Sequence, residues 1–438
     1  MTELYSIFSQ TIKRYYQPTG KLVLGFSGGV DSRVLLELLA QYKESHDCEC
    51  CAVYVHHGLS ENADRWAVQC QLWAQTQAIP FFIETVQLDR NSGKSIESLA
   101  RVARYQALAK YITQNDLLLT GQHADDQIET FLLALKRGSG PKGLSSMAQR
   151  MPFGDGYIVR PLLSTTRAQI EAYAQLKQLE WVEDESNQDT RFDRNFIRHQ
   201  VTPVLSQRWS HFHQAVARSA ELCAQQQLLL EELLQEALHS AKMADGSLSI
   251  HHLSQHSELA RSQLLRMWLA ALGELMPSKE HLLMIWNQVA LARLDANPCL
   301  KLGDSEIRRF DQKLYCVQTQ QDVSQWQAPI GLNQAVELPD GLGVLHLKAL
   351  EQDNQGGIAL AGKSQELWIS FDPQGLSACP VGRVGRRKLK KLFQEYGVPS
   401  WLRRRTPILM YRDQVVAVAN LFIDRDFSGQ DCELSWDK

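Results

Sequence analysis

The stretch Lys21–Ser32, KLVLGFSGGVDS, limits what this chain can fold into more than any other part of it. Leu22, Val23, Leu24 and Phe26 make a short apolar run suited to a strand covered on both faces, and Val34, Leu35, Leu38 and Leu39 then recur at helical spacing. Between strand and helix lie Ser27, Gly28, Gly29, Val30, Asp31 and Ser32. Two glycines at such a handover let backbone N–H groups approach an anion, and the start of the helix adds its positive end. Ser27 and Ser32 add hydroxyl donors. Asp31 beside a phosphate cradle predicts a metal ion between acid and phosphate. A Walker A loop would need a Lys before the Ser, and a dinucleotide fingerprint would need G-x-G-x-x-G; this stretch has neither. An ordinary tight turn is the bland alternative, and the position of Asp31 weighs against it.

Downstream the pattern alternates. Cys51–Val55, Phe81–Leu88, Asp116–Thr120 and Tyr157–Leu163 read as strands, and Glu61–Gln77, Ser95–Tyr111, Asp125–Lys136 and Thr166–Gln178 as helices. Such alternation implies parallel pairing through right-handed crossovers, hence an α/β, doubly wound, Rossmann-like sheet whose ligand crevice lies beyond the carboxyl ends of the strands. From Trp209 to about Leu294 the pattern is helical, Leu300–Val317 reads as an extended hairpin, and Gln318–Gln334 as a linker. The expected division is a nucleotide-binding catalytic domain over 1–210, a helical domain over 211–317, the linker 318–334, and a small basic mixed α/β domain over 335–438.

A second constellation is Thr120–Thr130, TGQHADDQIET. Asp126 and Glu129 stand three apart and so share a helix face, where they can serve a metal ion and an incoming amine. Acids at a helix start are also favoured simply by the dipole. The loop Lys136–Met147, KRGSGPKGLSSM, offers Arg137 and Lys142 to a polyanion, or acts as a lid. The arginine of Arg160–Leu163, RPLL, is expected either on a phosphate or paired with an acid.

SGGVDS resembles the PP-loop of the ATP pyrophosphatase superfamily, whose members cut ATP between its α- and β-phosphates to adenylate a substrate. With VHHGLS at Val55–Ser60, RVARY at Arg101–Tyr105, GQHADDQIET, KRGSGPKGLSSM, RPLL and EDESNQDTRFDRNFIR ending at Arg198, the ordered set is similar to the bacterial tRNA(Ile)-lysidine synthetases. That resemblance implies adenylation by ATP of the carbon-2 oxygen of the wobble cytidine in a CAU anticodon. The side-chain amine of L-lysine then displaces AMP to give lysidine, changing codon reading from AUG to AUA and charging from methionine to isoleucine. It implies ATP on Ser27, Gly28, Gly29, Val30, Asp31 and Ser32, Mg on Asp31 and Asp126, and Glu129 on the lysine ammonium. Arg104 and Arg194 join Asp31 and Asp126 as catalytic candidates toward cytidine or phosphate. Many relatives carry Asp where His56 stands and Arg where Ser60 stands, so His56 receives no metal role; His57 is either an adenosine-side contact or a structural residue.

The net charge of -3 excludes a polycation, so RNA contact must come from local patches. One runs from Arg383 to Lys391, with Arg386, Arg387, Lys388, Lys390 and Lys391, and is expected to grip tRNA phosphates. Its bland alternative is a solvated helix face. Nine cysteines are an odd number, against a disulfide framework. Cys48 and Cys51 form the one C-x-x-C that a sulfur-transfer alternative could use, at the wrong end of their strand. No run reaches the roughly 18 apolar residues of a membrane span. The expected location is the cytoplasm, with no obligate protein partner.

Overall fold

The computed structural model describes residues 2–88, 95–293, 296–350, 357–360 and 366–438. The chain divides into two compact units, Met1–Glu232 and Leu233–Lys438.

The first unit is built on a six-stranded sheet of β1 (Leu22–Gly25), β2 (Cys50–His56), β3 (Phe81–Thr85), β4 (Leu117–Leu119), β5 (Arg150–Phe153) and β6 (Gly156–Val159). Their order is β3-β2-β1-β4-β6-β5, parallel except for β5, which pairs antiparallel with β6. Around it lie α1 (Glu3–Tyr15), α2 (Val30–Ser45), α3 (Ala63–Thr76), α4 (Ile96–Ala109), α5 (Ala124–Lys136), α6 (Pro141–Leu144), α7 (Arg167–Leu176), α8 (Asp193–Phe196), α9 (Thr202–Arg208) and the long α10 (Phe212–Ala241), which runs past the end of the unit. One π-helical turn, Ile197–Val201, joins α8 to α9.

The alternation of side chains along β1 explains the two-sided core. Leu22 and Leu24 face a cluster with Phe8, Ile12, Val34, Leu35 and Leu38, while Val23 faces the other cluster with Val53, Leu108 and Leu118. From β1 the chain proceeds to β2 and β3 on one side and then returns to place β4 on the other. The direction of winding therefore reverses beside β1, and the loops leaving β1 and β4 open into one crevice. The expected sheet is thus present. β5 was not expected: RMPF carries no alternation, and pairing with β6 makes it a strand.

The second unit begins with the rest of α10, β7 (Leu248–Ser249), α11 (Ile250–Ser254), α12 (Glu258–Ala271) and α13 (Lys279–Met284). A meander of β8 (Cys299–Leu302), β9 (Ser305–Phe310) and β10 (Lys313–Gln318) replaces the expected hairpin, because Leu302, Ile307 and Leu314 all enter the core around Trp268. The stretch 318–334 is not a free linker. Gln327–Pro329 pairs with Leu367–Ser370, and Val323 and Ile330 are buried. Two five-stranded sheets then follow, with antiparallel pairing throughout, together with a short two-stranded ladder and, among the described residues, one α-helix, Leu389–Glu395. The expected mixed α/β domain over 335–438 includes 351–356 and 361–365, which lie outside the described residues. Among the described residues no helix is long and apolar enough to cross a membrane.

Candidate active site

Gly28 carries φ +83°, and a Cβ added there would lie 2.7 Å from Cys70 Sγ and 2.8 Å from Val182 Cγ2. Gly29 caps α2 with an ordinary φ of -66°, and a Cβ there would meet only Ser27 Oγ at 3.8 Å. One glycine is therefore demanded by backbone and packing, and the other leaves open space beside the first amides of the helix. The N–H groups of Val30, Asp31 and Ser32 have no carbonyl partner within α2 by helix geometry. Ser27 and Ser32 hydroxyls stand 3.2 Å apart, and Ser32 donates to Gly29 O at 3.0 Å. Val30 is buried and anchors the turn.

The loop leaving β4 is pressed against this corner. A Cβ on Gly121 would lie 3.1 Å from Asp31 Cβ and 3.3 Å from Ser32 N, so a side chain there would press the two loops apart by a few tenths of an ångström. His123 caps α5, and its N–H donates to Asp126 Oδ2 at 3.0 Å. The buried His123 ring lies among three aspartates: Nε2 is 3.6 Å from Asp31 Oδ1 and 3.4 Å from Asp126 Oδ2, and Nδ1 is 3.5 Å from Asp125 Oδ2. Burial alone would lower its pKa, but Asp125, Asp126 and Asp31 outweigh burial and raise it.

Asp31 Oδ2 accepts from Arg167 Nη1 at 2.8 Å, while the buried Oδ1 has no hydrogen-bond partner among the described residues. Burial raises the Asp31 pKa despite the opposing His123 and Arg167 charges. For Asp125, burial acts upward, yet the nearby His123 ring and the hydrogen bonds from His213 and Arg167 N hold the carboxyl well below its usual range. Asp126 and Glu129 lie on one face of α5 and are gripped by the same two arginines. Arg194 Nε donates to Glu129 Oε2 at 2.7 Å and Arg198 Nε to Glu129 Oε1 at 2.6 Å, with their Nη2 atoms 3.3 and 3.4 Å from Asp126 Oδ1. Glu129 is fully buried beneath them. Burial would lower the Arg194 pKa, but Asp126 and Glu129 raise it.

The structure thus brings together Ser27–Ser32, Asp126, Glu129 and Arg194. Arg104, on α4, is exposed and has no ion-pair partner among the described residues. Arg137 caps the carboxyl end of α5 and is exposed, and Lys142 on α6 reaches only to 4.0 Å from Glu231. The 136–147 stretch is not wholly a loop, since Pro141 starts a helical turn, and its end is pinned to α5 by paired hydrogen bonds of 2.9 and 2.8 Å between Gln127 and Met147. Arg160 pairs with no acid among the described residues: it is buried and donates to Ala148 O at 2.6 Å, holding the chain before β5. His56 Nε2 lies 3.0 Å from Asp64 Oδ1, and His57 Nδ1 is buried without a partner among the described residues. Cys48 and Cys51 are buried free thiols at the amino end of β2, and burial pushes the Cys51 thiol up to about 11, the reverse of an activated sulfur.

Sequence reasoning missed Arg167, Arg198, His123, Asp125 and His213. Arg198 had a signal, its four-residue spacing from Arg194. Arg167 and His213 had none, because their partners lie 136 and 88 residues away.

In the second unit, Arg383 and Arg387 both pair with Glu395, and Arg386 pairs with Asp426. Lys388, Lys390 and Lys391 are exposed and have no ion-pair partner among the described residues, while Leu389, Leu392 and Phe393 are buried.

A cradle at the reversal point of a parallel sheet, with acids facing it, defines a PP-loop nucleotide-binding protein, and residues 4–205 match the family model of the PP-loop domain. Residues 248–315 match the TilS substrate binding domain and residues 367–437 the TilS substrate C-terminal domain. The chain is 61% identical over 438 residues to the tRNA(Ile)-lysidine synthase of Vibrio parahaemolyticus, covering 100% of both chains. It is 60% identical to that of Vibrio vulnificus, again over 100% of both, and 50% identical to that of Photobacterium profundum over 99% of both. The chain belongs to the tRNA(Ile)-lysidine synthase family.

Proposed function

We propose that this protein uses ATP to join L-lysine to the wobble cytidine of the CAU-anticodon tRNA(Ile), in the cytoplasm. The observation that carries this reading is the meeting, at one reversal point, of an anion cradle and an acid set held by arginines.

In the first step the cytosine carbon-2 oxygen attacks the α-phosphorus of ATP, a C–O–P bond forms, and pyrophosphate leaves. Backbone amides at Gly28 to Ser32 and the Ser27 and Ser32 hydroxyls hold the departing oxygens, with the positive end of α2 opposing their charge. The orphan Asp31 Oδ1 and the nearby Asp126 carboxylate fit a Mg ion. Two carboxylates are too few for an all-protein cage, in keeping with the absence of any group of three such ligands among the described residues. Asp31 and Asp126 would hold such an ion, which would neutralise charge on the phosphates. In the second step the lysine amine attacks carbon 2, the C–O bond to AMP breaks, and the amine gives up a proton to a carboxylate, for which Asp126 is the candidate.

Glu129 is the anchor for the lysine ammonium. Arg194 and Arg198 already occupy it, so lysine enters by displacing one of them, and the freed guanidinium then becomes available to a phosphate or to the cytosine. Arg104, Arg137 and Lys142 contact tRNA around the site, and Lys388, Lys390 and Lys391 grip its backbone elsewhere. Domains over 1–210, 211–317 and 335–438 divide catalysis, recognition and grip.

The test is mass analysis of the anticodon nucleoside after incubation of unmodified tRNA with ATP, Mg and lysine. The expected product is lysidine, formed with one AMP per event. ATP turnover that proceeds equally without lysine would overturn the reading.

A further inference from the structure

His213, the second residue of α10, belongs to no motif, yet its Nε2 lies 3.0 Å from Asp125 Oδ1. Its side chain is only 20% exposed. An ionised carboxylate only accepts hydrogen bonds, so the ring donates through Nε2. The other oxygen of Asp125 accepts from Arg167 N at 2.7 Å and faces His123 Nδ1 at 3.5 Å. Asp125 is therefore held by groups from three places, the starts of α10, α7 and α5, and both of its oxygens are engaged. Adjacent residues on a helix point in different directions, so Asp125 turns away from the Asp126 and Glu129 face, toward α7 and α10.

Asp125 faces His123 electrostatically: Oδ2 lies 3.5 Å from the buried Nδ1, which makes no hydrogen bond among the described residues, so the ring is held by charge and packing. With its Nδ1 side facing Asp125, the buried imidazole sets Nε2 between Asp31 and Asp126, the two carboxylates of the proposed adenylation centre. Two acids so close repel each other, and their spacing depends on where the intervening ring lies. We infer that His213 is a positioning residue for the reaction: it fixes Asp125, which fixes His123, which sets the spacing of Asp31 and Asp126. Arg167 serves the same arrangement twice, through N to Asp125 and through Nη1 to Asp31. α10 also precedes, in sequence, the region matched to the substrate binding model. The inference rests on the reading of Asp31 and Asp126 as the reacting acids.

The experiment compares His213→Phe, which keeps a flat ring and drops the donor, with His213→Gln, which keeps a donor. AMP release is followed in the full chain with ATP, lysine and unmodified CAU-anticodon tRNA, and urea midpoints are recorded. Small misplacements of reacting groups cost large factors in rate. His213→Phe is therefore expected to lower kcat on the order of tenfold or more, with KM for ATP within about twofold. His213→Gln should recover most of the loss, and adding His213→Phe to Asp125→Asn should cost nothing further. Full kcat in His213→Phe, equal losses in the Phe and Gln variants, or additive losses in the double variant would each overturn the inference. Asp126→Ala serves as the separate control: if it keeps turnover, the functional reading itself fails, whatever His213 does.

Discussion

Gly28 and Gly29 are neighbours in one cradle, but opposite physical reasons make them glycine, and alanine at each should separate stability from binding. At Gly28 the φ of +83° disfavours any L side chain, by roughly 1–2 kcal/mol. The new methyl would also sit 2.7 Å from Cys70 Sγ and 2.8 Å from Val182 Cγ2. Neither neighbour yields freely: Cys70 is fully buried, and Val182 N donates to Gly28 O at 3.0 Å, so the strand-to-helix corner and the 179–182 segment would be pushed apart. Overpacking of this kind costs roughly 1–3 kcal/mol. Together these predict a loss of about 2–5 kcal/mol for Gly28→Ala. At Gly29 the φ of -66° suits alanine and the only atom near the added Cβ is Ser27 Oγ at 3.8 Å, so the loss is confined to alanine being a poorer N-cap, about 0.5–1 kcal/mol. The methyl would nevertheless stand where an anion approaches the first amides of α2, and affinity for ATP should fall at least about tenfold. Urea unfolding of both variants, followed by near-ultraviolet circular dichroism, gives the stabilities, and equilibrium binding of a non-hydrolysable ATP analogue gives the affinities. A Gly28→Ala protein as stable as the parent, or a Gly29→Ala protein that binds the analogue normally, would refute the assignment of the two roles.

Three further outcomes follow from the same geometry. Replacing Lys388, Lys390 and Lys391 together by Ala should reduce the slope of log affinity for tRNA against log salt by about 2, near the counterion release of three phosphate contacts; the Arg383→Ala change should alter it less than one lysine does, because that guanidinium is already neutralised by Glu395. Glu129→Gln should raise KM for lysine at least about tenfold and destabilise the protein by about 1–3 kcal/mol, since it leaves Arg194 and Arg198 without their buried counter-charge while both keep some solvent; unchanged lysine dependence would exclude Glu129 as the ammonium anchor. Burial, with Arg104 and His56 adding to it, pushes the His57 pKa down from 6.5 to about 4. As pH falls through 6.5 the unfolded chain takes up a proton that the native ring refuses until about pH 4, so native stability drops across that window and the loss levels off below it. His57→Gln should make the decline of the urea midpoint over this range shallower than the parent's, and identical slopes would show that the ring is not held neutral.

Which parts of this molecule were open to reading from its residues follows from how far apart the cooperating groups lie. The β1 corner was legible because apolar run, glycines and helical period are all local, and so was the shared face of Asp126 and Glu129. The crevice was legible too, because alternation of strand and helix constrains the winding of a parallel sheet. Charge was not, because net formal charge says nothing of pairing. Arg383, Arg386 and Arg387 look identical in sequence to the three lysines beside them, yet Glu395 and Asp426 consume all three. The same blindness hid the state of the acid cluster. In sequence Glu129 is a free carboxylate awaiting an amine, whereas the fold delivers Arg194 and Arg198 onto it from 65 and 69 residues away. A buried carboxylate left bare would be costly, so these arginines are what stabilise Glu129 and, on its proposed role, keep it in place until lysine arrives. An anchor so covered selects against weak entrants. A sodium ion or a water offers too little to displace a guanidinium from a fully buried acid, whereas an ammonium on a long apolar stem can replace its charge and fill the space it vacates. If Glu129 anchors the ammonium as proposed, discrimination in favour of lysine rests on the exchange of a part-exposed guanidinium for an ammonium, a competition that no reading of Glu129 in isolation could reveal.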